Sequence, residues 1–139
     1  MNKNLLSLGF ILVFLSFLTG LVIPLVKNPQ LAVSSHLNAI IGGIILVILG
    51  VISTILTLSD SNRKIMIWSW IYATYMNWAV TLLGGIWGTS RLTPVAGAGF
   101  TASTLQENIV SVLLISLVLA SFIGCAIVIW GLRGTDKSV

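Results

Sequence analysis

The stretch IVSVLLISLVLASFIGCAIVIW, Ile109–Trp130, contains no charged side chain from end to end. A helix of this length rises far enough, at about 1.5 Å per residue, to cross a hydrocarbon core of roughly 30 Å. Three more apolar segments of similar length precede it: Leu5–Val26, Leu37–Leu58 and Ile65–Trp87. None shows the strict alternation over ~10 residues that marks a membrane β-strand. The pattern predicts an all-α fold: an integral membrane four-helix bundle forming one domain over residues 1–139.

Composition supports lipid as the solvent. Of the 139 residues, 57% are hydrophobic and 7% charged, whereas a soluble domain carries about a quarter charged residues. A chain this short could not hide that much apolar surface in one core. The net charge of +4 is spread along the chain, with Asp60, Glu107 and Asp136 as the acids and no run of like charge, so a nucleic-acid footprint is absent. Cys125 is the single cysteine, which excludes an intrachain disulfide and reads as a small packing residue. Lys3 and the apolar run after it resemble a signal peptide, but no A-x-A-like cleavage site follows, so the segment is expected to remain as a span.

Short connections are expected at Lys27–His36, with Asn28-Pro29 as a turn signal, and at Ser59–Lys64. Gly88–Asn108 reads as one long loop, rich in small and hydroxyl residues, of the kind that serves as a lid or binding element. Lys3, Arg63, Lys64, Arg133 and Lys137 fall on one side of these spans, and Lys27 and Arg91 on the other. By the positive-inside rule both termini are cytoplasmic and the long loop is external. Gly43 and Gly50, Gly84 and Gly85, and the Ser116–Ala120–Gly124 stripe permit close helix packing. Trp68, Trp70, Trp87 and Trp130 read as interfacial anchors, whereas Trp78 falls mid-span.

Polar side chains are costly in lipid, so those at depth are informative. Thr74, Asn77, Thr81 and Gly84 share one face of the third segment, with Tyr72 and Tyr75 flanking it and Trp78 beside it. Asn77 has two donors and two acceptor lone pairs to satisfy. It serves either as an interhelical tie, worth ~0.6–2 kcal/mol, or as a substrate-orienting group; composition alone favours the tie. His36, the one histidine, sits at the expected outer entrance of the second helix, close to Asn38. A solvated loop histidine and a metal or haem ligand are both open readings. One histidine excludes a multi-histidine cage within the chain but not a haem with one proximal ligand. Arg91 and Glu107 fall on the same outer side. Phosphate-binding glycine loops, nucleophile triads, Cys-x-x-Cys pairs and paired carboxylates are all missing.

Two blocks carry a resemblance. KNPQLAVSSHLNAIIGG (Lys27–Gly43) and YMNWAVTLLGGIWGTSRLTPVAGAG (Tyr75–Gly99) resemble the hydroxylaminobenzene mutase family, which is related to the membrane styrene oxide isomerases. The likeness extends over the chain in length, helix number and loop pattern. It implies an isomerase or mutase that moves an oxygen within a small aromatic substrate: aryl hydroxylamine to aminophenol, or aryl epoxide to aldehyde. For the isomerase branch it further implies haem b between the subunits of a homotrimer, whose iron would act as a Lewis acid; the expected setting is a bacterial inner membrane. His36 matches the axial ligand, with Asn38 and Arg91 as further cofactor-binding candidates. Asn77 and Tyr75 would orient the substrate and Trp78 would shape its slot. One departure concerns substrate identity: relatives carry asparagine six residues after the histidine, where this chain has Gly42. The alternative is a non-catalytic module, either a b-type haem electron carrier or a structural four-helix protein.

Overall fold

A computed structural model describes residues 1–133, and every long element is helical. Four helices follow one another: α1 (Lys3–Val22), α2 (Pro29–Ile52), α3 (Asp60–Trp87) and α4 (Thr104–Leu132), with a 3-10 turn at Ile23–Leu25 after α1. The expected all-α membrane fold is borne out. Asp136 and Lys137 of the charge balance lie outside the described residues.

Helix starts are set by capping chemistry rather than by the edges of apolar runs. Asn28 caps α2 through Oδ1, which accepts from the Gln30 and Leu31 amides at 3.0 and 3.3 Å. Pro29 takes the first helical position, where a missing N–H costs nothing. The second helix therefore starts at Pro29 and not at Leu37, and stops at Ile52 and not at Leu58. Ser59 caps α3, which begins at Asp60. Ser103 and Gln106 form a reciprocal capping box on α4, so the expected long loop shortens at Thr104. An apolar run records contact with lipid; a helix can start before it, in the interface where polar side chains are cheap, and α1 and α2 both end before their runs do.

Each helix packs chiefly on the next in sequence. α1 lies on α2, α2 on α3, and α3 on α4, while α1 approaches α3 only marginally and α4 approaches neither α1 nor α2. Three helices are long and apolar enough to cross a membrane by length and composition: α1 with its 3-10 turn, α2 and α4. α3 is as long but more polar, and it is flanked by α2 and α4. The connections gather at two ends. At one, the Asn2 amide donates to Gly50 at 2.8 Å, Thr57 to Gly131 at 3.0 Å, and the Arg63 guanidinium to the carbonyls of Ser53 and Leu56. At the other, the Asn28 amide donates to Gly85 at 2.8 Å.

Trp70 departs from its expected place. With α3 beginning at Asp60, Trp70 lies well inside the helix, against the missing side chain of Gly124 on α4. Trp68 and Trp130, both 68% exposed, point out of the bundle.

Candidate active site

Because α2 begins at Pro29, His36 is not at a helix entrance but roughly 10 Å along the helix. Its ring turns toward α1. Nδ1 lies 2.8 Å from the Ser16 carbonyl oxygen and 2.8 Å from the Ser16 hydroxyl. That hydroxyl donates in turn to the His36 carbonyl at 2.9 Å. A carbonyl only accepts, so Nδ1 carries the proton and Nε2 keeps a lone pair. Nε2 has no hydrogen-bond partner among the described residues. Nor is it sealed inside the chain, where the unpartnered buried atoms are Trp70 Nε1, Thr89 Oγ1 and Ser111 Oγ.

A second polar group forms between α2 and α3. Asn38 Nδ2 donates to Asn77 Oδ1 at 3.3 Å and to Thr81 Oγ1 at 3.4 Å. Thr81 and Thr74 spend their hydroxyl protons on carbonyls of their own helix, Asn77 at 2.6 Å and Trp70 at 2.8 Å. The amide nitrogen of Asn77 and the amide oxygen of Asn38 thus stay uncommitted among the described residues. Both side chains line a cavity of about 230 Å³, closed by Gly42, Trp70, Thr74 and Ser121. Gly42 is essential to its shape: a Cβ there would lie 2.9 Å from Thr74 Cβ and 3.2 Å from Leu12 Cδ2.

Tyr75 and Trp78 face elsewhere. Tyr75 donates to the Leu8 carbonyl at 2.8 Å, and Trp78 Nε1 to Thr19 Oγ1 at 2.9 Å, so this pair spans the gap between α3 and α1. With Trp68, Ile71, Tyr72, Met76 and Ala79 they border an apolar groove of about 350 Å³. Arg91 lies in the loop after α3. Its amide and that of Ser90 donate to the buried Glu107 carboxylate at 3.1 and 2.9 Å, and its guanidinium binds Asn108. Asn28, fully buried, donates to Ala96 at 2.7 Å, and Lys27 Nζ donates to Thr101 at 2.6 Å, which hold the loop as a folded cap.

Within one chain, then, Asn38 and Asn77 come together, Tyr75 and Trp78 form a separate wall, and neither hydrogen bond nor cavity joins Arg91 to His36. Among the described residues no cluster of three or more His, Cys, Asp or Glu side chains exists. Sequence reasoning passed over Ser16 and Thr19, the partners of His36 and Trp78. Both are polar residues inside an apolar run, which is the signal that would have found them.

The arrangement is that of a helical membrane protein with a polar-lined cavity between its inner helices and one histidine held in a fixed tautomer. The styrene oxide isomerase family model matches residues 1–133, and the chain belongs to that family. Two curated relatives are similar over nearly the whole chain, both from Ectopseudomonas oleovorans. Hydroxylaminobenzene mutase HabB is 40% identical over 94% of this chain and 80% of its own length. Hydroxylaminobenzene mutase HabA is 35% identical over 95% of this chain and 98% of its own. No solved structure matches. The protein is an enzyme of the isomerase and mutase type.

Proposed function

We propose that the protein rearranges an aryl hydroxylamine to an aminophenol within the membrane, using haem b held by His36. The observation that carries this reading is the contact of His36 Nδ1 with the Ser16 carbonyl, which leaves Nε2 unprotonated and without a hydrogen-bond partner among the described residues, in a chain whose curated relatives are hydroxylaminobenzene mutases. A donated Nδ1–H with a free Nε2 is how ligating histidines are held, so the residues fit the group. When bound, haem supplies Lewis-acid polarisation of an N–O bond.

The chain supplies orientation and dryness. In a trimer, where the cavity of one subunit would face the haem held by its neighbour, the uncommitted Asn77 amide donates to the substrate oxygen, and Asn38 holds that amide in place through Asn77 Oδ1. The apolar faces of α2, α3 and α4 around the cavity exclude water, so a ring cation formed when the N–O bond breaks is not captured by solvent. The N–O bond breaks, a C–O bond forms at a ring carbon, and the proton that carbon loses is balanced by one gained on nitrogen, with no net electron or water consumed. An aryl epoxide opening to an aldehyde is also an isomerisation, in which the benzylic C–O bond breaks, the oxygen stays on its other carbon and that carbon's hydride shifts to the benzylic position; it is the second substrate class to assay.

Haem b at the surface of one chain requires neighbours. A homotrimer with the cofactor between subunits accords with the accessible Nε2 and with the outward apolar ridge of Phe10, Phe14, Phe17 and Leu21 on α1. The expected setting is a bacterial inner membrane with both termini cytoplasmic. Lys3, Arg63, Lys64 and Arg133 all fall at the end of the bundle where α1 starts, which supports that orientation.

The decisive experiment is an optical spectrum and turnover assay of detergent-purified protein produced with ample haem. A Soret band, its loss in His36→Ala and conversion of phenylhydroxylamine to aminophenol are expected. Unchanged haem content in His36→Ala would end the haem reading, and no turnover of either substrate class would end the catalytic one. Mass in detergent should give a trimer; a monomer retaining stoichiometric haem contradicts it. In a background lacking Cys125, Ser90→Cys should label from outside intact cells and Ser61→Cys should not.

A further inference from the structure

We infer that Ser16 is the positioning residue for His36, fixing the imidazole in the Nδ1–H tautomer so that Nε2 is presented as a ligand. The inference deepens the haem reading above and rests on it for its functional meaning, but its structural part can be tested without haem.

Ser16 is fully buried on α1, and both of its oxygens face the ring. The carbonyl accepts the Nδ1 proton. The hydroxyl proton is committed to the His36 carbonyl, which leaves the Ser16 oxygen lone pairs directed at Nδ1 as a second acceptor. A hydroxyl free to rotate could instead donate to Nδ1 and stabilise the opposite tautomer, with Nε2 protonated and unable to bind a metal. The His36 backbone removes that option. Gly20, a helical turn further along α1, completes the seat: a Cβ there would stand 3.5 Å from Nδ1, so the ring lies close against α1. Serine and histidine thus hold each other through three contacts between one residue pair. Outer partners of a ligating histidine set ring orientation and ligand basicity, and removing one typically costs about 10–100-fold in metal affinity.

Because the chain has one histidine, selective ¹⁵N-histidine labelling reports a single ring. In haem-free protein, Nδ1 should show the protonated type of resonance and Nε2 the unprotonated type. Ser16→Ala keeps the carbonyl acceptor and loses the hydroxyl one, so Nδ1–H should remain the major form with a shifted resonance and a weaker hydrogen bond, Ser16→Cys intermediate and Ser16→Thr close to wild type. In haem-loaded protein, transfer of haem to an apomyoglobin trap should be ~10-fold faster in Ser16→Ala than in wild type. Its iron midpoint potential should rise as the ligand loses basicity, and Ser16→Thr should restore both. Should Ser16→Ala fail to fold, the Cys and Thr variants and the wild-type spectrum still decide. A wild-type ring protonated at Nε2, or Ser16→Ala matching wild type in Nδ1 resonance, transfer rate and potential, overturns the inference. His36→Ala retaining haem overturns the haem reading instead, and leaves the tautomer result standing by itself.

Discussion

The interface between α1 and α2 is closed, while the one between α2 and α3, bordered by Ser121 of α4, is open. In the first, Gly9 and Gly43 let the backbones touch: a Cβ on either would lie 2.6 Å from the other's carbonyl oxygen. His36 is held there by 2.8 Å contacts. In the second, Asn38 reaches Asn77 and Thr81 at 3.3 and 3.4 Å, at the long end for hydrogen bonds, and about 230 Å³ remains unfilled. A ligand must keep one geometry, which a close-packed seat provides. A substrate must enter, turn over and leave, which needs space and unspent polar groups. On the proposed reading the chain divides these tasks between two faces of α2.

The largest effect should come from closing space that does not exist. Gly43→Val would press its side chain into the Gly9 carbonyl and Val13, both at 2.6 Å. Backbone cannot step aside, so the cost should exceed the 1–3 kcal/mol that is roughly typical of overpacking. Low yield and a much lower Tm in detergent are expected; a wild-type Tm would show that the helices cross at a greater distance.

Asn77→Ala tests the open face. If Asn77 makes an orienting hydrogen bond that strengthens in the transition state, activity per bound haem should fall ~10²-fold with haem content preserved. An asparagine that only ties helices would, when removed, lower yield and thermal stability while per-haem activity stayed near wild type. Dividing activity by haem separates the two.

A smaller effect should follow from Glu107→Gln at the end of the bundle away from the N-terminus. The carboxylate accepts from the Ser90 and Arg91 amides through separate oxygens, and glutamine keeps only one of the two acceptors. Charge-assisted bonds of this kind are worth about 1.5–3 kcal/mol each, so a loss of roughly 1–2 kcal/mol and a Tm lower by a few degrees are expected. Limited proteolysis within residues 88–103 should quicken in parallel. An unchanged Tm would mean that Asn28 and Lys27 hold the cap without Glu107.

Amino-acid sequence alone determined that the protein is helical and membrane-embedded, because an uncharged run long enough to cross lipid has few other solutions. It also singled out Asn77 and His36, since an amide or imidazole among apolar residues must have a partner or a use. It misplaced the start of α2, where Asn28-Pro29 read as a turn although the pair is equally a cap and first helical residue. Trp70 was misread because it turns toward Gly124 of α4, a contact between helices that the sequence does not display. What only the tertiary structure decided is which polar groups meet. Ser16 against His36, Asn38 against Asn77, and Tyr75 and Trp78 turned toward α1 are contacts between helices far apart in sequence. Helical periodicity places residues on a face, but the rotation and crossing of neighbouring helices set which faces adjoin. Those are fixed by packing at glycines such as Gly9 and Gly43, one contact at a time.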